Sequence, residues 1–231
     1  MTELNAWLIR MLTRLRDMRM VWDVMGSLYN SRIYDLLVEL YEYFGTELIV
    51  QNQARILDAG AGRGYLSLEL ASRNPDAHVT GIDYSLMQVL RAESYRRQRK
   101  IDNCSFRRNN VLSLPFQDAV FDAAASVGSI KHWSNSHQGL MELHRVLKPG
   151  ACLMISETDR EVSDGDLQKF VKRFRIPFVP ESLLFWGLDH VVFGQSFSRD
   201  QLADAVRNAG FRNIECRRAT ACPYVIVKAW K

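Results

Sequence analysis

The chain has 231 residues, 47% of them apolar and 24% charged, which is the balance of a folded globular protein and excludes a disordered or collagen-like chain. Its length suits one α/β domain with an elaboration, so we expect a single domain over residues 1–231. The net charge of +4 permits anionic ligands but is too small to require nucleic acid as the partner.

The N-terminal segment carries an apolar stripe at helical spacing. Its members follow one another in steps of three and four residues: Leu4, Leu8, Met11, Leu15, Met18, Trp22 and Met25. This spacing predicts an amphipathic helix. Its basic flank would suit a membrane surface. Packing on its own domain or on a second subunit, as in a homo-oligomer, explains the same pattern, and we favour that interpretation. A second helix is predicted from Ser31 to Phe44.

From Ala54 onward, strand-like apolar runs alternate with helical segments. The strand-like runs are Ala54–Ala59, His78–Ile82, Cys104–Arg108, Val120–Ser126 and Ala151–Ser156. The helical segments are Gly64–Arg73, Ser85–Lys100 and Ser134–Leu147. This alternation predicts a doubly wound α/β fold, in which a parallel sheet has helices on both faces.

The C-terminal part begins with an insertion at residues 158–197 that is longer than a bare crossover. Its aromatic residues are Phe170, Phe174, Phe178, Phe185, Trp186 and Phe193. We expect the insertion to cover a binding site, although a local aromatic subcore would explain the same composition. S-x-x-Q capping boxes mark two helix starts, Ser85 with Gln88 and Ser198 with Gln201. Two antiparallel strands are predicted to finish the sheet, at Asn213–Arg217 and Tyr224–Trp230.

Several classes of site and location are disfavoured. The four cysteines form no CxxC motif and the five histidines lack carboxylates at recognisable spacing, so we expect neither a disulfide framework nor a metal site. The first residues lack the apolar core of a secretory signal, and no stretch reaches the roughly 18 apolar residues of a membrane span. We therefore expect a cytoplasmic protein. The arginines between Arg91 and Lys100 alternate with other residue types, which favours a solvated face over a nucleic-acid interface.

The strongest local signal is the glycine-rich segment DAGAGRG at residues 58–64, between the first predicted strand and the helix that follows it. Doubly wound folds bind ligands there, because glycines let the backbone approach a ligand closely. Asp83 ends the next strand, where a carboxylate can accept both hydroxyls of a ribose. Tyr65 replaces the third glycine of the dinucleotide fingerprint, and Asp58 would repel a pyrophosphate but attract a cation. A ligand with a ribose, an adenine and an ammonium group fits this pattern better than NAD.

The segments ILDAGAGRG and GIDYS resemble the first two motifs of the class I S-adenosylmethionine-dependent methyltransferases. The resemblance continues in order through NNVLSLPFQD, VFD, ELHRVLKPG and the stretch from Ser196 to Phe211, and it runs from about Arg55 to the C-terminus. It implies a Rossmann-like, mostly parallel seven-stranded sheet with an antiparallel C-terminal edge strand. In pattern, the chain is related to the small-molecule branch that methylates ubiquinone and menaquinone.

The resemblance also implies a cofactor site for S-adenosylmethionine. The methionine end would be held by four residues at the first loop: Asp58, Ala59, Gly60 and Gly62. Asp83 would bind the ribose hydroxyls, and Tyr84 would lie against the adenine. The other implied contacts are Asn110 and Val111 at the adenine edge, Ser126 at the methionine pocket through its backbone, and Tyr29 at the sulfonium. Tyr29 belongs to a segment, YNSRIYD, that resembles the family's lid, so residues 1–50 are expected to form a helical lid or packing segment.

The reaction implied by the resemblance is methyl transfer to a small molecule by in-line displacement, which leaves S-adenosylhomocysteine. His132 follows the fourth strand and is the candidate general base, with a purely structural histidine as the alternative. Asn109 and Asn110 stand where the family usually has Gly-Asp, and an asparagine can still accept a bond from the adenine amine, without charge assistance. A binding module that has lost transfer and an NAD(P)-dependent oxidoreductase are the alternative functions.

Overall fold

The computed structural model describes residues 7–12, 14, 34–173, 179–220 and 222–231. The predicted cofactor contact Tyr29 lies outside these residues, as do most of the N-terminal apolar stripe and two aromatic residues of the insertion, Phe174 and Phe178. Residues 7–12 are helical (α1), and residues 34–47 form helix α2. No helix in the described ranges is long and apolar enough to cross a membrane.

Seven strands form one sheet in the order β3-β2-β1-β4-β5-β7-β6. In chain order they are β1 (Arg55–Ala59), β2 (His78–Asp83), β3 (Cys104–Arg108), β4 (Phe121–Val127), β5 (Leu147–Thr158), β6 (Arg212–Arg218) and β7 (Tyr224–Trp230). Strands β1 to β5 pair in parallel, and β7 pairs antiparallel with β5 and β6. The doubly wound fold is therefore confirmed. The antiparallel strand β7 lies one place in from the edge, which β6 forms. The residues of β7 are accordingly mostly buried, whereas those of β6 are largely exposed.

Helices cover both faces of the sheet. They are α3 (Tyr65–Arg73), α4 (Leu86–Arg99), α5 (Ser136–Val146), α6 (Asp164–Arg173), α7 (Glu181–Gly187) and α8 (Arg199–Asn208), with a 3-10 turn at Ile130–His132 and a π-helical segment at Leu188–Phe193. Ile56 and Leu57 are neighbours on β1 but belong to two different buried clusters. Successive side chains of a strand point to opposite faces, so each face has its own core.

The two predicted helix starts both form. At α8 the Ser198 hydroxyl accepts the Gln201 N–H and the Gln201 side chain accepts the Ser198 N–H, which completes the capping box. At α4 the Ser85 hydroxyl accepts the Gln88 N–H (3.3 Å), and the Ser85 N–H donates to Asp83 Oδ1 (2.8 Å). The start of α4 is thus hydrogen-bonded to Asp83, the last residue of β2, at the carboxyl edge of the sheet.

Candidate functional site

A cavity of about 470 Å³ opens at the carboxyl ends of β1, β2 and β4. This is the point where the sheet order reverses direction, and doubly wound folds bind their ligands there. Most of the wall comes from the loops that follow these strands and β3. Helix α2 adds Leu37 and Tyr41, and the start of β7 adds Tyr224. Of the predicted site residues, those that line the cavity are Asp58, Gly60, Gly62, Asp83, Tyr84, Asn110, Val111 and His132.

The loop after β1 is folded tightly onto the end of β2. The N–H groups of Gly60 and Ala61 both donate to the Ile82 carbonyl, at 2.9 and 2.8 Å. Gly60 has a φ of +79°, and a Cβ built there would lie 1.8 Å from Ser129 Oγ. Gly64 has a φ of +82°, and its Cβ would lie 2.4 Å from Phe106 Cζ. Side chains are excluded at both positions by conformation and by space, which explains the glycine pattern.

Asp83 ties the glycine loop to the start of α4. Its Oδ2 accepts the Gly62 N–H (2.9 Å) and its Oδ1 accepts the Ser85 N–H (2.8 Å). Each carboxylate oxygen has a second lone pair, so Asp83 can hold the loop and still accept hydrogen bonds from a ligand. This geometry suits an acceptor for a pair of hydroxyls.

Asp58 is a buried carboxyl group in the cavity wall, with 1% of its surface exposed. The Ser67 hydroxyl donates to its Oδ2 at 2.5 Å. Burial is the main effect that raises the pKa of Asp58 to about 7. The hydrogen bond from Ser67 lowers this pKa in part, and the negative charge of Asp83 raises it further. The group is therefore poised between its neutral and charged forms at neutral pH, and a nearby cation would favour the carboxylate.

An aromatic ring and two loop residues form the part of the wall beyond Asp83. Tyr84 is 55% exposed, with the Arg108 guanidinium 6.0 Å from its ring centre. Asn110 Oδ1 accepts the Leu112 N–H (3.0 Å), so one of its two lone pairs helps to shape the loop. Val111 is buried beside it. An exposed ring next to a polar amide can receive a flat heterocycle.

Ser126 and Ala59, two further predicted site residues, are not among the residues that line the cavity. Strand β4 ends at Val127, one residue later than expected, and Ser126 is fully buried in it. Its hydroxyl donates to the Ala59 carbonyl at 2.7 Å and so joins β4 to β1. The wall is formed instead by the next residues, Val127–Ser129.

His132 lies in the 3-10 turn after β4 and lines the cavity. Its backbone N–H donates to the Ser129 carbonyl at 2.9 Å, which closes the turn. Trp133 follows it in the wall, and its indole N–H donates to Ser129 Oγ at 2.9 Å. The histidine and the tryptophan thus stand together at the β4 side of the cavity.

A buried ion pair beside His132 was not anticipated from the sequence. Lys131 lines the cavity, and its ammonium lies 2.6 Å from Glu157 Oε1. Burial alone would raise the pKa of Glu157, but the charge and hydrogen bonds of Lys131, with a contribution from His132, hold that pKa below its usual value. Glu157 therefore stays ionised. The available signal was a carboxylate near the end of an otherwise apolar strand, where parallel strands meet at the ligand edge.

Helix α2 reaches the cavity, whereas the described part of the insertion does not. The Tyr34 ring lies 4.4 Å from the ring of Tyr65, the residue that replaces the third fingerprint glycine. No described residue among 158–197 lines the cavity. Phe170 and Phe193 are buried with their rings 5.8 Å apart, in the core cluster that also contains α2. The aromatic residues of the insertion thus pack in a buried core that they share with α2.

Sequence comparison finds methyltransferases. The methyltransferase domain family matches residues 51–176. A demethylmenaquinone methyltransferase of Porphyromonas gingivalis is 34% identical over 165 residues, which cover 68% of this chain and 67% of that protein. The O-methyltransferase rstn1 of Aspergillus nomiae is 31% identical over 165 residues, covering 70% of this chain and 65% of its own length. The chain thus spans about two thirds of these relatives.

Solved structures with the same fold are also found. A SAM-dependent methyltransferase from Aquifex aeolicus has a TM-score of 0.63 at 19% identity, covering 82% of this chain and 88% of its own. The [4+2]-cyclase SpnF has a TM-score of 0.72 at 20% identity, covering 92% and 94%. At these identities the likeness shows the fold alone, and a fold can carry more than one reaction.

Proposed function

Because the chain belongs to the class I S-adenosylmethionine-dependent methyltransferases, we propose that it methylates a carbon or an oxygen of a small hydroxylated aromatic molecule. S-adenosylmethionine is its cofactor. The relatives named for demethylmenaquinone and for O-methylation support an acceptor of this class. The observation that carries the proposal is the aromatic wall at one end of the cavity.

The order of the strands gives the cavity two different ends. Strands β2 and β4 flank β1 on opposite sides, so Asp83 and Tyr84 stand at one end and the residues after β4 at the other. The second end carries His132 and Trp133, and a Cβ built on Gly128 would lie 3.9 Å from Tyr224. Leu37 and Tyr41 of α2 also line the cavity. A mostly aromatic wall with a few polar groups suits a flat apolar acceptor that is oriented by a small number of hydrogen bonds.

The residues at the β2 end fit the cofactor. A Cβ built on Gly62 meets no atom within 4 Å, so this glycine leaves open space beside the loop backbone. Asp83 would accept the ribose hydroxyls, and Asp58 would face the ammonium group of the methionine end. Tyr84 and Asn110 would hold the adenine. When bound, S-adenosylmethionine supplies an electrophilic methyl group on a sulfonium.

The residues at the β4 end would align the acceptor and exclude water, which is most of what an in-line displacement requires. His132 would accept the proton of the acceptor hydroxyl as the nucleophilic atom attacks. Trp133 and Tyr41 would hold the acceptor ring in the plane that directs this atom toward the methyl group. The proton stays on the imidazole until the product leaves.

We infer that α2 forms the cover of the acceptor end, as part of the lid expected over residues 1–50. Leu37 and Tyr41 support this, because both line the cavity. The insertion at 158–197 would support α2 from behind, through the core cluster that the two share. The single domain over residues 1–231, the cytoplasmic location, a homo-oligomer and an acceptor other than nucleic acid remain predictions.

The test is a transfer assay with S-adenosylmethionine that carries a deuterated methyl group. An alkyl hydroquinone, a catechol and sarcosine are offered separately, and products are identified by mass spectrometry. We expect a labelled hydroquinone or catechol together with S-adenosylhomocysteine, and less product from the Asp83→Ala control at a cofactor concentration that half-saturates the wild type. Labelling of sarcosine alone would contradict the aromatic acceptor. Tight cofactor binding without transfer to any acceptor would favour the binding module.

A further inference from the structure

A buried ion pair stands at the wall of the acceptor end. The side chains of Lys131 and Glu157 are 4% and 0% exposed, and no other ion pair among the described residues has both partners buried to this extent. The Lys131 ammonium also donates to Thr158 Oγ1 (3.1 Å), and the Thr158 N–H donates to Glu157 Oε1 (2.8 Å). Burying two charges costs hydration energy that apolar residues of the same volume would not lose. Stability alone is therefore a weak reason for the pair.

The pair fastens the loop after β4 to the end of β5. The backbone N–H of Lys131 donates to Glu157 Oε2 (3.3 Å), so one carboxylate holds both the main chain and the side chain of this lysine. One residue earlier on β5, the Ser156 carbonyl accepts the Gly128 N–H (2.8 Å). Ser156 and Glu157 thus form hydrogen bonds to the start and the middle of the loop that carries His132.

We propose that Glu157 is the positioning residue for His132: through Lys131 it fixes the 3-10 turn Ile130–His132 and so holds the imidazole at the acceptor end. The proposal rests on the proposed function, in which His132 is the general base. Glu157 takes no part in the chemistry itself, because it is wholly buried and does not line the cavity. Its effect is geometric, and a displacement of about 1 Å in a reacting group can cost about 10²-fold in rate.

The decisive variant is the double substitution Lys131→Met with Glu157→Gln. Glu157→Gln alone leaves a buried ammonium without its counter-charge and destabilises the fold, whereas the double variant removes both charges. We expect the double variant to keep the wild-type melting temperature and cofactor affinity while its kcat falls about 10²-fold. If the double variant has both the melting temperature and the kcat of the wild type, the pair is structural only and the proposal is overturned.

A second readout needs no acceptor. Diethyl pyrocarbonate modifies exposed imidazoles, and the modification rates of His132 and the exposed His137 can be followed by mass spectrometry in protein saturated with S-adenosylhomocysteine. We expect the rate at His132 to rise several-fold in the double variant while the rate at His137 stays constant. An unchanged rate at His132 overturns the proposal. Wild-type protein that methylates no acceptor would contradict the proposed function instead, and the labelling result would still decide the role of Glu157.

Discussion

Gly60 and Ser129 are packed so closely that a Cβ on the glycine would fall 1.8 Å from the serine hydroxyl. Gly60 belongs to the loop after β1, and Ser129 belongs to the loop after β4, where its Oγ accepts the Trp133 indole N–H. The glycine-rich loop and the residues after β4 therefore meet at this contact. A change at Gly60 would disturb both ends of the cavity.

We expect Gly60→Ala to lower the affinity for S-adenosylmethionine by about tenfold or more, equal to about 1.4 kcal/mol. The matched control is Gly150→Ala, because Gly150 has a φ of +77° and a Cβ there meets nothing within 4 Å. Both variants suffer the strain of a left-handed alanine, about 1–3 kcal/mol in stability. Calorimetric titration separates the two effects. Equal cofactor affinities in the two variants would show that the contact with Ser129 is unimportant.

Asp83→Ala should weaken cofactor binding by about 1–3 kcal/mol, because ligand hydroxyls lose a charged acceptor. Titrations with adenosine and 2′-deoxyadenosine test this assignment directly. Wild-type protein should prefer adenosine, and the variant should bind both nucleosides with similar affinity. The exposed Asp76→Ala is the control and should behave as wild type. A preference for adenosine that survives in Asp83→Ala would remove Asp83 from the ribose site.

Cofactor binding should release protons from Asp58 below neutral pH. Burial raises the pKa of Asp58 to about 7, so at pH 6 most molecules carry a proton on this carboxyl. The ammonium of S-adenosylmethionine favours the carboxylate and lowers this pKa, which expels the proton. Calorimetry in buffers of different ionisation enthalpy counts the protons, and we expect more release at pH 6 than at pH 8. Asp58→Asn should show none of this difference, and the same release from the variant would refute the assignment.

His132→Ala should leave the cofactor dissociation constant near the wild-type value and lower kcat by about 10²–10⁴-fold, the usual contribution of a general base. The exposed His137→Ala is the matched control and should retain full activity. Steady-state assays with the acceptor identified from the transfer experiment measure both variants. Equal turnover in His132→Ala would leave this histidine with a structural role.

The fold could be predicted well because its signals are local. Apolar runs, capping residues and the glycine loop each act over a few residues, and they located β1 to β4 within one residue at either end. Strand β5 was the exception, since it was expected at Ala151–Ser156 and runs from Leu147 to Thr158. Its extra residues are set by partners far along the chain, as in the pairing of Thr158 with Tyr224. The segment Lys148-Pro149-Gly150, which lies within β5, resembles a turn in sequence and does not indicate such pairing.

The structure brings together those predicted site residues that follow parallel strands. The glycine loop, Asp83 and His132 meet at one cavity, as strand order requires of residues at the carboxyl ends of parallel strands. Lys131 and Glu157 are 26 residues apart and meet only because β4 lies beside β5. Leu37 and Tyr41 of α2 and Tyr224 of β7 line the cavity because of tertiary packing, which local sequence patterns do not indicate.

The cavity at the carboxyl ends of β1, β2 and β4 is expected to bind S-adenosylmethionine. The decisive measurement is side-by-side calorimetric titration of the wild-type protein with S-adenosylmethionine, S-adenosylhomocysteine and NADH. We expect micromolar binding of the two sulfur ligands, about −8 kcal/mol, and no measurable binding of NADH. Tighter binding of NADH than of S-adenosylmethionine would contradict the account.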